Sequence, residues 1–270
     1  MKAMLFETPE AAHRNTALLT GATSGIGLEL ARLLAADGHD LVIVARGSKR
    51  LEEVAADLRD RHHVKVRCYA RDLSQPGAAR ELWGELRRAD IAVDILLNNA
   101  GTGLYGPLLE QDPEALARML ELNVATLTTL TRLALPGMRE RRWGRILNVA
   151  SLAAYQPGGP RMSAYYATKS YVLAFSKGLA MELDGTGVSV TVLCPGPTRT
   201  PFEQKAGAGT TVLYRRVPPM TAEAVALAGY RGLMRGSKVV IPGFLTKVLA
   251  FAGELPPRRV ALEVNRLLLR

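Results

Sequence analysis

Hydrophobic residues along the chain fall into two patterns. Short, mainly apolar runs occupy residues 16–21, 41–45, 64–70, 93–98, 146–150 and 188–193, with a brief seventh at 239–241. The first, ending in glycine, predicts a buried parallel strand, and the others read as strands in turn. Between the runs the apolar residues recur at helical spacing. Ile26, Leu30, Leu33 and Leu34 share one face, as do Leu51, Val54, Ala55 and Leu58. Further helices are expected over 75–89, from 112 to about 141, and from 163 to about 183, with Pro136 bending or ending the second of these. Strands alternating with helices predict an α/β fold: a doubly wound parallel sheet of Rossmann type, about seven strands, with helices on both faces. No repeat or Pro/Gly/Ser-rich linker divides residues 1–270, so one domain is expected.

Such sheets bind ligands beyond the carboxyl ends of their strands, where strand order reverses. The residues with chemical potential lie there. After the first run comes Gly21-Ala22-Thr23-Ser24-Gly25-Ile26-Gly27, opening a helix. Glycines let the backbone approach a pyrophosphate, and the helix N-terminus offers free N–H groups. After the second run, the position where a carboxylate would bind the ribose of NAD holds Ala45-Arg46. A guanidinium there suits the 2′-phosphate of NADP. Asp72 follows the third run, placed either to bond an adenine amino group or to cap the next helix. Asn98-Asn99-Ala100-Gly101 follows the fourth, with small residues for close passage of a nucleoside and asparagines able to tie strands together. Ser151 ends the fifth. Tyr165 and Lys169, at i and i+4, share one helix face. A nearby ammonium favours a phenolate, so Lys169 is expected to lower the Tyr165 pKa, and Ser151 to bond a substrate oxygen. Tyr166 has Ser170 four residues on, which favours Tyr165 as the acid.

Charge and cysteine content narrow the field. The formal net charge is +10, and residues 199–270 hold twelve Lys and Arg against four Glu and no Asp. No helix-turn-helix, zinc-finger or RNA-binding motif accompanies this excess, so no nucleic-acid partner is expected. His13, His39, His62 and His63 have no zinc spacing, and no metal is expected. Cys68 and Cys194 form no disulfide framework. With no signal-peptide pattern over 1–15 and no apolar run long enough for a membrane span, a cytoplasmic protein is expected.

In order and at these strand ends, TGATSGIG, Asp72-Leu73, NNAG, Asn123, Ser151, YxxxK and Pro195-Gly196 resemble the short-chain dehydrogenase/reductase superfamily, over about residues 16–235. The resemblance implies hydride transfer between NADP(H) and a carbonyl/secondary alcohol pair, in the manner of a ketone reductase. Tyr165 would be the acid, Ser151 would polarise the substrate oxygen, Lys169 would lower the tyrosine pKa while gripping the nicotinamide ribose, and Asn123 would complete a tetrad by holding a water in a proton relay to Lys169. Gly21, Thr23, Ser24, Gly25, Ile26, Gly27, Arg46, Asp72, Leu73, Asn99, Ala100, Gly101, Tyr165 and Lys169 would bind the cofactor, and Pro195, Gly196, Thr198 and Thr200 the nicotinamide end. A homo-dimer or homo-tetramer through the helices near 112–140 and 163–183 is also implied. The resemblance to bacterial reductases of broad or unassigned specificity supplies no substrate. The alternatives are a silent NADP(H)-binding sensor or scaffold, which the intact Tyr165 and Lys169 oppose, and an NAD-dependent alcohol dehydrogenase, which Arg46 opposes.

Three segments lie outside the motif set. The extension over 1–15 has no assigned role. The loop over 201–219, with Phe202, Lys205, Val212, Leu213, Tyr214, Arg215 and Arg216, should shape the substrate pocket. In the tail over 237–270, Phe244, Val248 and Phe251 form a helical stripe beside Leu245 and Leu249. A second apolar cluster (Leu262, Val264, 267–269) follows, flanked by Lys247, Arg258, Arg259, Arg266 and Arg270. The tail is expected to cover the pocket or a subunit contact, or else to touch an anionic membrane surface weakly.

Overall fold

In the computed structural model, strands β1 (Thr16–Thr20), β2 (Asp40–Ala45), β3 (Val66–Ala70), β4 (Ile95–Asn98), β5 (Gly144–Val149), β6 (Val188–Leu193) and β7 (Val239–Val240) form one sheet. Their order is β3-β2-β1-β4-β5-β6-β7, and every pairing is parallel. The structure describes residues 14–202 and 217–254, with Leu262, Val264, Arg266 and Leu267 beyond them. The extension read over 1–15, apart from Arg14 and Asn15, lies outside the described residues, as do residues 203–216 of the substrate loop, with Lys205, Val212, Leu213, Tyr214, Arg215 and Arg216. Arg258, Arg259, Arg270 and residues 268–269 of the tail do so too.

Strand residues alternate between two cores, because successive side chains point to opposite faces of a sheet. Ala17, Leu19, Leu41, Ile43, Ile95, Leu97 and Leu147 pack on one side against α1 (Gly25–Ala36), α2 (Ser48–His62) and α7 (Ala222–Met234). Leu18, Val42, Val44, Leu96, Ile146 and Val190 pack on the other. There they meet α3 (Ala78–Arg88), α5 (Leu127–Glu140) and α6 (Ser163–Glu182). With both faces covered, the central strands are largely apolar, as the sequence suggested, while β3 at the sheet edge exposes Arg67 and Ala70. Helix α7 was not anticipated there.

The expected helix over 112–141 is built differently. It runs as α4 (Pro113–Leu120), a π-helical turn (Glu121–Thr126) and α5. Asp112 caps α4 by accepting from the Glu114 and Ala115 N–H groups at 3.2 and 3.1 Å. Pro136 neither ends the helix nor coincides with its irregular turn. It lies on the exposed face with Arg132, so the hydrogen bond it removes from the Arg132 carbonyl is left to water. The chain ends its described helices with α8 (Phe244–Glu254). Among the described residues no helix is long and apolar enough to cross a membrane.

Candidate active site

The carboxyl ends of β1, β4 and β5 meet where strand order reverses, and a cleft of about 430 Å³ opens above them. Its floor is the glycine turn. Gly21 and Gly25 have φ of +72° and +54°, a region open to glycine and strained for other residues. A Cβ on Gly27 would collide with the Gly21 carbonyl oxygen and the Asn99 side chain. Helix α1 therefore starts tight against the turn. Ser24, its N-cap, makes no side-chain capping bond, so the first N–H groups of α1 stay available at the cleft. Thr23, Ser24, Gly25 and Ile26 line that end.

The NNAG turn is bolted to β1. Thr20 Oγ1 accepts from the Asn99 and Ala100 N–H groups, both at 3.0 Å, and donates to the Leu97 carbonyl at 3.3 Å. Asn99 Nδ2 donates to the Thr20 and Gly21 carbonyls at 2.9 and 3.1 Å. Asn98 ties β4 to β5 and α5 by donating to Asn148 Oδ1 (2.9 Å) and Thr131 Oγ1 (3.0 Å).

At the far end of the cleft stand Arg46, exposed, and Asp72 with Leu73. Burial disfavours the Asp72 carboxylate. Hydrogen bonds from the Ser74 hydroxyl and N–H, at 2.7 and 3.0 Å, outweigh that penalty and lower its pKa, with Gln75 and the Arg46 charge adding to them. The sequence reading missed Arg71, which also lines the cleft and pairs with Glu81 and Glu85 of α3. Its place directly before Asp72-Leu73 was the available signal.

Ser151, Tyr165 and Lys169 line the other end of the same cleft. Ser151 leaves β5 in extended conformation and opens a short 3-10 turn (Leu152–Tyr155), its Oγ held by the Ala153 N–H at 3.1 Å. Burial pushes the Tyr165 phenol up to about 12, opposed by its hydrogen bond with Ser151. Burial pulls Lys169 down to about 8, opposed by Cys194. Lys169 Nζ donates to the Val149 carbonyl at 3.0 Å and stands 5.8 Å from the centre of the Tyr165 ring. Thus burial, rather than the lysine charge, dominates the phenol, which differs from the expected lowering. Tyr166 is not part of the cleft lining. A Cβ on Gly159 would run into its ring, which packs edge-on against that of Tyr165 with centroids 6.3 Å apart.

Asn123 and Gly27 do not line the cleft but stand directly behind it. The π-helical turn carries Asn123 to Thr102 and Thr168. Its Oδ1 accepts from the Thr102 N–H at 3.0 Å, and its Nδ2 donates to the Thr102 carbonyl at 2.9 Å and to Thr168 Oγ1 at 3.1 Å. A Cβ on Gly101 would lie 3.3 Å from Asn123 Oδ1 and 3.5 Å from Lys169 Nζ, so both groups border that glycine. Pro195, Gly196, Thr198 and Thr200 close the cleft from β6. Thr200 Cγ2 packs directly against Gly25, and Thr198 Oγ1 donates to the Gly196 carbonyl at 2.9 Å.

Residues 15–210 match the short chain dehydrogenase family. The chain belongs to the short-chain dehydrogenases. It is an oxidoreductase of that superfamily. A D-beta-hydroxybutyrate dehydrogenase of Cupriavidus necator is 35% identical over 191 residues, 70% of this chain and 73% of the relative. Among solved structures, a short-chain dehydrogenase from Sphingobium yanoikuyae in complex with NADPH superimposes with a TM-score of 0.78 at 36% identity, covering 88% of this chain and 92% of that one. A bulky-bulky ketone specific alcohol dehydrogenase from Comamonas testosteroni gives 0.74 at 32% identity, covering 85% and 86%.

Proposed function

We propose that the protein is an NADP(H)-dependent reductase that interconverts a carbonyl compound, a ketone foremost, and its secondary alcohol. The reading is carried by one observation: Ser151, Tyr165 and Lys169 line the same cleft as the glycine turn and Arg46. The glycine turn, the uncapped start of α1 and the small residues of the NNAG turn fit a dinucleotide. Arg46 beyond Ala45, with no carboxylate at that strand end, fits a 2′-phosphate. Asp72, Leu73, Asn99, Ala100 and Gly101 would hold the adenosine half and its ribose. Pro195, Gly196, Thr198 and Thr200 would hold the nicotinamide end.

When bound, the nicotinamide supplies or accepts the hydride. The protein's residues handle the oxygen and its proton. With its phenol pushed up to about 12, Tyr165 is protonated at neutral pH and can donate to a carbonyl oxygen as that oxygen becomes an alkoxide. Ser151 offers the same oxygen a hydrogen bond. Lys169, pulled to about 8, remains mainly charged at pH 7 yet gives up a proton more readily than a free lysine, which suits resupply of Tyr165. Asn123 braces the turn beside it, where a relaying water would stand.

Relatives named for compounds as different as D-beta-hydroxybutyrate and bulky-bulky ketones favour carbonyl/alcohol chemistry. The rest of the reading is a single catalytic domain, joined into a homo-dimer or homo-tetramer through α4, α5 and α6, where Leu120, Tyr171 and Met181 are exposed. Cys68 and Cys194 are free, which fits the reducing cytoplasm. The test is a panel of ketones and aldehydes with NADPH and with NADH. Turnover with NADPH and little with NADH is expected, whereas preference for NADH would overturn the cofactor assignment.

A further inference from the structure

Helix α8 is packed with its large apolar residues outward. It buries Thr246, Ala250 and Gly253, and leaves Phe244 84%, Phe251 65%, Leu245 46% and Val248 45% exposed. Residues 244, 248 and 251 fall on one stripe, with 245 beside it. The buried side must be small because it lies close to backbone. A Cβ on Gly253 would strike the Tyr155 carbonyl oxygen, and Thr246 Oγ1 stands against Gly196. Gln156 Nε2 also donates to the Leu249 carbonyl at 2.9 Å. Leu262, Val264 and Leu267 are exposed as well, and Leu262 lies next to Gly158. None of the stripe is among the residues that line the cleft, pocket cover having been one of the three roles expected of the tail. A contiguous apolar surface of this kind marks an interaction site.

Charge indicates what covers it. From Phe244 to Arg270 the sequence has five Lys and Arg against two Glu and no Asp. A second copy meeting this face across a two-fold axis would bring Lys247 and its basic segment toward a segment of the same charge, which like-charge repulsion opposes. An anionic bilayer satisfies both features at once, burying the aromatic and aliphatic side chains at the headgroup boundary and attracting the cations.

We propose that α8, through Phe244, Leu245, Val248, Phe251 and the exposed Lys247, docks on an anionic lipid surface. The helix is fastened to two walls of the cleft, the 3-10 turn after Ser151 and the turn at Gly196. Docking therefore sets the catalytic cleft beside the bilayer, within reach of carbonyl compounds dissolved in it. This goes beyond the proposed reductase activity, and the docking itself does not depend on it.

The experiment is co-sedimentation of the full chain with vesicles of phosphatidylcholine, alone or mixed with phosphatidylglycerol. Binding to the mixed vesicles at low salt, weakened by added salt, is expected. Lys247→Gln should weaken it about fivefold, the factor for one interfacial cation. Phe244→Ser combined with Phe251→Ser should abolish it while leaving thermal unfolding unchanged, since both rings are exposed. Absence of binding to mixed vesicles at low salt overturns the proposal. So does equal binding to neutral vesicles, or equally tight binding to heparin that the serine substitutions leave intact. Loss of a dimer in sedimentation velocity on the serine substitutions, without vesicle binding, would assign the face to a second copy instead.

Discussion

Replacing Thr20 by Val should cost more than its modest change in shape suggests. Thr20 is 2% exposed, and valine fills nearly the same volume, so little packing is lost. What disappears is the hydroxyl that accepts from the Asn99 and Ala100 N–H groups and donates to the Leu97 carbonyl. A buried donor left without a partner costs roughly 1–3 kcal/mol. Two such donors would total about 2–6 kcal/mol if sealed from water. Asn99 and Ala100 are only half-buried and border the cleft, so water can reach them in part, and about 2–4 kcal/mol is expected. Urea unfolding should show a lower midpoint with an unchanged slope. Thr20→Ser, which keeps the hydroxyl, should recover most of the loss. The same change should loosen the turn that borders the nucleotide and weaken NADPH binding, read by fluorescence titration. A Thr20→Val midpoint indistinguishable from wild type, with Thr20→Ser no better, would refute the view that this hydroxyl holds the NNAG turn.

Two further outcomes follow from the site and from the opposite end of the sheet. Arg46→Ala should weaken NADPH by about 1.5–3 kcal/mol, the range for a hydrogen bond to a charged group, and leave NADH nearly unaffected; equal losses for both cofactors in parallel titrations would detach Arg46 from the 2′-phosphate. His39 is 4% exposed, and its ring nitrogens make no hydrogen bond. Burial lowers its pKa against the opposing charges of Asp37, Asp94 and Asp40. The folded state thus takes up this proton less readily than the unfolded chain. The contribution is complete above the unfolded value near 6.5 and is lost as pH falls from there toward the folded pKa. Unfolding midpoints at pH 7 and pH 5 should therefore differ more for wild type than for His39→Leu, and equal differences would contradict the assignment.

Much of this arrangement was legible in the sequence because the sheet is covered on both sides. Its central strands are largely apolar, and the glycine turn, NNAG and Ser151 follow them, with YxxxK on the next helix. Reading Tyr165 over Tyr166 needed only helical spacing, and the cleft lining agrees with that choice. Other features depend on contacts far apart in the chain. The π-helical turn at Asn123 depends on Thr102 and Thr168, which no local pattern announces. Pro136 was read as bending or ending its helix, because its effect depends on which face it occupies. The state of Tyr165 is governed by burial, which periodicity does not report. The tail's helical spacing was readable, but not whether its apolar stripe faces the pocket or faces outward. Close backbone at Tyr155 and Gly196 admits only the small side of α8.

The central claim is that Tyr165 protonates the substrate oxygen in an NADP(H)-linked reduction. Its most direct test compares single-turnover NADPH oxidation by wild type, Tyr165→Phe and Tyr166→Phe, using the best ketone from the panel, with NADPH affinity measured on each. The account predicts that Tyr165→Phe loses turnover while binding NADPH almost as wild type does, and that Tyr166→Phe retains most of its rate. Turnover that survives Tyr165→Phe but is lost in a folded, NADPH-binding Tyr166→Phe would contradict it.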